Sequence, residues 1–120
     1  MTTEIPSDEW TSFLDSFSRR HEGWLATLEV IGPEIGAQIQ ASELPLEGIS
    51  ASPKPKSISI SLGSEPSNHL THTISSPVQL WLRRTTQGAD EALEIESTDG
   101  AKTLLLFRSA MPTEMVDGLI

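Results

Sequence analysis

Residues 10–31, WTSFLDSFSRRHEGWLATLEVI, decide the fold. Trp10, Phe13, Leu14 and Phe17 recur at i, i+3, i+4 and i+7, which gathers the large apolar side chains on one stripe of a helix. Ser7 offers an N-cap, Asp8 and Glu9 bring carboxylates to the positive end of the helix dipole, and Pro6 closes the entry. Arg19, Arg20 and His21 fill the last turn, where cations suit the negative pole, and Gly23 suits the left-handed residue that ends many helices. The spacing predicts a helix over about residues 7–22. The period then changes, because Trp24, Ala26, Leu28 and Val30 alternate with Leu25, Thr27, Glu29 and Ile31 in the manner of a strand. A helix therefore feeds directly into a sheet.

Downstream, the chain repeats that strand-like alternation. Gly32-Pro33-Glu34-Ile35-Gly36 reads as a turn into a second strand built on Ala37, Ile39 and Ala41. Leu44 to Ile49 reads as a short irregular strand, since Pro45 cannot donate to a ladder and belongs at an edge or bulge. After the connector Pro53-Lys54-Pro55-Lys56, Ile58, Ile60 and Leu62 oppose Ser57, Ser59 and Ser61. Leu70, His72 and Ile74 share one face of the next strand, with His69, Thr71 and Thr73 on the other. Val78, Leu80 and Leu82 mark another strand, and Leu93–Glu96 and Thr103–Phe107 flank Asp99-Gly100, a dipeptide suited to a two-residue hairpin turn. In that register Ile95 faces Leu104 and Leu93 faces Leu106, with Leu105 and Phe107 on the opposite side. A return strand apolar on both faces needs cover on both, one from the interior and one from the helix stripe. Pro112 to Val116 fits a single helical turn. The expected architecture is one α+β domain, mainly β, over residues 1–120. It comprises an N-terminal amphipathic helix packed on a curved antiparallel sheet or small β-barrel of roughly six to eight strands. The β-rich body spans about residues 24–108 and the C-terminal segment residues 109–120.

Composition narrows the function. Eight basic against seventeen acidic residues give a net charge of −9 and a pI near 4.6, which opposes binding to nucleic acid or to anionic lipid. Cysteine is absent, which removes disulfides, thiol catalysis and Cys-based zinc sites. Met1 to Trp10 lacks a basic region followed by an apolar core, and no apolar run reaches bilayer length, so a cytoplasmic location is expected. His69 and His72 have H-x-x-H spacing, but strand geometry points their rings to opposite faces, so neither a metal nor another cofactor is expected. His72, on the apolar face, is a core or cavity histidine and the candidate for lining a pocket. Arg19, Arg20 and His21 form a dense basic cluster suited to an anion or an acidic partner segment, although complementarity to the helix dipole and surface ion pairing is the favoured account. There is no phosphate loop, nucleophile elbow or H-E-x-x-H motif. The reading these features favour is a non-catalytic interaction module with an unidentified protein partner, its exposed sheet edges also allowing a homo-oligomer. The alternative is a small-ligand-binding barrel or minor enzyme with its pocket around His72.

The chain also resembles a small uncharacterised bacterial family of the domain-of-unknown-function type. The resemblance covers most of the length. It rests on Trp10 with Phe13 and Phe17, on Phe17-Ser18-Arg19-Arg20-His21-Glu22-Gly23-Trp24, on Leu44-Pro45-Leu46-Glu47-Gly48-Ile49, and on Leu93-Glu94-Ile95-Glu96 with Asp99-Gly100. It implies a compact bacterial protein and supplies no reaction, cofactor or catalytic residue.

Overall fold

A computed structural model describes residues 1–34, 36–54, 56–63 and 65–108. The apolar stripe does form a helix, α1 (Trp10–His21), which buries Trp10, Leu14, Phe17 and, one step further along the same stripe, His21. It is entered through a 3-10 turn at Ser7–Glu9. Ser7 is not the N-cap: its side chain makes no capping bond, and the Glu9 N–H closes onto the Pro6 carbonyl instead. The Trp10 indole N–H, donating to the Ile5 carbonyl at 2.9 Å, secures this entry. Gly23 ends the helix at φ 87°, a conformation that costs glycine little.

Among the described residues, eight antiparallel strands accompany α1, the first before it in the chain and seven after. They are β1 (Thr2–Glu4), β2 (Leu25–Gly32), β3 (Gly36–Pro53), β4 (Lys56–Leu62), β5 (Leu70–Ser75), β6 (Pro77–Arg84), β7 (Asp90–Ser97) and β8 (Lys102–Phe107). Their order in the sheet is β1-β6-β7-β8-β2-β3-β4-β5. The two ends do not join, so the architecture is α+β with an open, curled sheet and not a barrel. β1 was not legible in the sequence: its three residues are exposed and carry no period.

β3 organises the curl. Its first half, to Pro45, pairs with β2, and its second half, from Leu46, pairs with β4 on the opposite edge. The expected break at Pro45 is therefore a change of partner within one long strand. Register shifts on both sides of this point, and Glu43 at φ 51°, provide the bend. The bend folds a short wing (β3-β4-β5) toward the long wing. One apolar cluster joins Ile58, Ile60 and Ile74 of the short wing to Leu28, Leu80, Leu93, Ile95 and Leu105 of the long wing, with Leu14 and Phe17 of α1.

The last hairpin differs from its expected register by one residue. Ile95 faces Thr103 and Leu93 faces Leu105, so the loop holds three residues, Thr98, Asp99 and Gly100. The Ser97 hydroxyl and the Ala101 N–H both donate to Asp99 Oδ1, which holds the Asp99 carboxyl below its usual range and stabilises the longer loop. Gly100 takes the left-handed position at φ 87°. A slip of one residue exchanges the faces. Leu105 and Phe107 accordingly point into the core, where Phe107 meets Phe17 at 5.6 Å between ring centroids, while Leu104 and Leu106 are half-buried outside. Helix and hairpin do meet, but on the core face. The predicted turn at Pro112–Val116 lies outside the described residues.

Candidate functional site

A helix rotates about 100° per residue, so three consecutive cations cannot share one direction. Arg19 lines an open groove between α1 and the short wing, together with Asp15, Ser18, Glu47, Ser59 and Ser61. Arg20 turns toward Asp90 at the start of β7, 3.7 Å away. His21 points inward and is 2% exposed. The expected basic cluster is thus divided among a groove, an ion pair and the core.

His21 is held on every side. Its Nδ1 lies 2.8 Å from the Phe17 carbonyl and its Nε2 2.8 Å from Asp90 Oδ2. Phe17 stacks on its ring at 3.9 Å, and Phe107 and Trp24 close the remaining sides at 5.3 and 4.4 Å. A carbonyl can only accept, so Nδ1 donates to it, and Nε2 is occupied by the carboxylate. A catalytic histidine needs one ring nitrogen turned to the reacting group; this one has neither. Asp90 also receives Arg84 Nε at 2.8 Å on Oδ1, which ties the C-terminal end of α1 to the ends of β6 and β7. This cluster fastens elements together. Sequence reading missed Asp90 because, as the first residue of β7, it stands 69 positions from its histidine with no local pattern to join the two.

His72 lies on the inner face of β5, opposite Ile60, and is half-buried. Burial pushes its imidazole below the ordinary histidine value. The clefts beside α1 are lined by other residues. His69 sits at the foot of β5 and bonds Glu47 Oε1 at 2.7 Å across the surface. The two histidines diverge as strand geometry requires. Among the described residues, no three His, Cys, Asp or Glu side chains gather as metal ligands.

The short wing presents the other notable arrangement. Where β3 leaves β2, one of its edges would be bare, and α1 covers it. The Ser18 hydroxyl donates to the Ile49 carbonyl and accepts from the Ile49 N–H, both at 2.7 Å. Because Ile49 points away from β4, the β4 residues that face β3 are Ser57, Ser59 and Ser61, and those that face β5 are Lys56, Ile58, Ile60 and Leu62. The Ser76 N–H donating to the Lys56 carbonyl fixes the same parity on β5. Leu70, His72 and Ile74 therefore spend their backbone bonds on β4. Thr71, Thr73 and Ser75 direct theirs outward, at the end of the sheet.

The outer face of this wing is paved with hydroxyls. Across the strands, Ser52, Ser57 and Ser75 form one row and Ser50, Ser59 and Thr73 the next, followed by Gly48, Ser61 and Thr71. Ser59 meets Thr73, and Ser61 meets Thr71, at 3.2 Å between side-chain oxygens. In sequence the signal was the alternation of Ser and Thr in Ser57–Ser61 and Thr71–Thr73.

Taken with its open edge, this geometry defines a small α+β domain whose buried acid–base pair is structural. A model of the family of unknown function DUF5335 matches residues 1–116, and the chain belongs to that family. It is similar to an uncharacterised protein from Aquifex aeolicus (strain VF5), 28% identical over 111 residues that cover 92% of this chain and 96% of the relative. No solved structure matches it. Among the described residues, no helix is long and apolar enough to cross a membrane.

Proposed function

We propose that this protein is a non-catalytic interaction module that accepts a partner's strand at the outer edge of β5. The observation that carries this reading is the edge itself. Thr71, Thr73 and Ser75 turn their N–H and C=O groups outward from a strand that has no proline, no charged Asp, Glu, Lys or Arg and no bulge. Folded proteins usually blunt such edges, as this one does at β1, which is three residues long and ends in Glu4, and along the second half of β3, where Ser18 of α1 bonds Ile49. The sealed state of His21 weighs against the enzymatic alternative, as does the place of His72 away from the clefts beside α1.

Thr73→Pro tests the reading. Proline is tolerated on an edge whose N–H faces solvent, so the fold should persist while the central outward donor is lost. A photo-crosslinker placed at Ser75 in the native host should give a discrete adduct that the Thr73→Pro background abolishes. Absence of an adduct, or one of equal yield in that background, overturns the proposal.

A further inference from the structure

Resting on that strand-accepting reading, we infer that the strand β5 accepts is β5 of a second copy of the same chain, paired antiparallel about a two-fold axis at Thr73. The outward residues are symmetric about Thr73. Opposing Thr73 to its own counterpart places Thr71 against Ser75 in both directions, so each of the three outward residues on either copy exchanges its N–H and C=O with a partner. The hydroxyl rows then run unbroken across the axis. The row Ser50-Ser59-Thr73 continues into Thr73-Ser59-Ser50, with a Thr–Thr cross-strand pair at its centre. On the inner face, His72 comes opposite Ile74.

Charge favours this occupant. A chain of net charge −9 repels its own copy over most approaches, yet none of its seventeen acidic residues lies between Leu70 and Ser75. The two ends of the strand also differ in sign. Glu65 and Glu47 stand near the Leu70 end, where Glu47 holds His69, and Lys54 stands near the Ser75 end; Lys56 accepts the Ser76 bond there through its carbonyl and carries its ammonium 4.8 Å from the Trp10 ring. Antiparallel pairing sets the acidic end of one copy against the basic end of the other, whereas parallel pairing sets like against like. A single six-residue strand edge is smaller than a standard stable interface, so the dimer should be weak, with a dissociation constant on the order of micromolar to millimolar.

Sedimentation velocity over rising concentration, up to about 1 mM, reads the result together with amide hydrogen exchange. Wild-type protein should pass from monomer to dimer, with the Thr73 amide slowing as dimer forms, and Thr73→Pro should remain monomeric at every concentration. Thr73→Lys keeps the donor but places two ammonium groups face to face across the axis, and should weaken association several-fold. Far-UV circular dichroism of both variants confirms that they fold. Wild-type protein that stays monomeric throughout, or variants that dimerise as the wild type does, overturn the inference. A monomeric wild type that still gives the Thr73→Pro-sensitive adduct in the host defeats self-pairing and leaves the strand-accepting reading standing.

Discussion

Ser18 does with one hydroxyl what a neighbouring strand would do with a backbone. It gives Ile49 of β3 both a donor and an acceptor, and so satisfies the backbone groups that this residue turns away from β4. Ser18→Ala leaves both backbone groups without their partner in a partly buried seam, and should lower stability by about 1–3 kcal/mol, read from the denaturant midpoint. His72 makes a prediction of opposite character, since its effect depends on pH. Its burial lowers the folded-state value below the unfolded one, so between the two the unfolded chain binds more protons. The native state therefore loses stability as pH falls below about 6.5 and is unaffected above it. His72→Gln should flatten this slope, and the wild-type minus variant difference in urea midpoints from pH 7.5 to 5.5 isolates the contribution. A difference that does not change with pH would exclude the desolvated histidine.

Elements were legible wherever a single period ran long enough to be read. The Trp10, Leu14, Phe17 stripe gave α1, and the Ile58–Leu62 alternation gave β4, because burial on one face imposes those spacings. Pairing between elements was less legible. The register of β7 and β8 depends on whether Asp99 is used as a turn residue or as an acceptor for Ser97 and Ala101, and both uses suit the same dipeptide. The bond from His21 to Asp90 was not legible at all, since no local pattern reports a contact made by the fold as a whole. The observed loop makes a direct prediction. Gly100→Ala forces a Cβ into the left-handed region at φ 87°, and should cost about 1–2 kcal/mol in thermal or chemical denaturation, although the nearest side-chain atom, on Pro33, is 3.7 Å from the added carbon. A neutral outcome would mean that the loop relaxes to the shorter register.

At the scale of the whole molecule, the sequence specified an α+β domain with one helix on a curved antiparallel sheet, and left closure undecided because closure depends on the register of the end strands. The structure resolves it through the bend in β3, which gives the two halves of one strand different partners. That strand order also governs how the chain assembles in time. β2-β3-β4-β5 and β6-β7-β8 are two meanders, each made of neighbours in sequence, and they are sewn together by a single seam in which β2 pairs with β8, Ala26 opposite Phe107. Each meander can form by local encounters, whereas the seam must close a loop of about seventy residues, from Ile31 to Lys102, before any of its bonds form. Refolding should therefore be slow, on the order of milliseconds to seconds, when followed by tryptophan fluorescence in a stopped-flow experiment. Microsecond refolding would mean that the seam is not the barrier. Until it closes, both meanders exist as sheets with bare flanks, and the newly made chain is most exposed to mispairing during that interval.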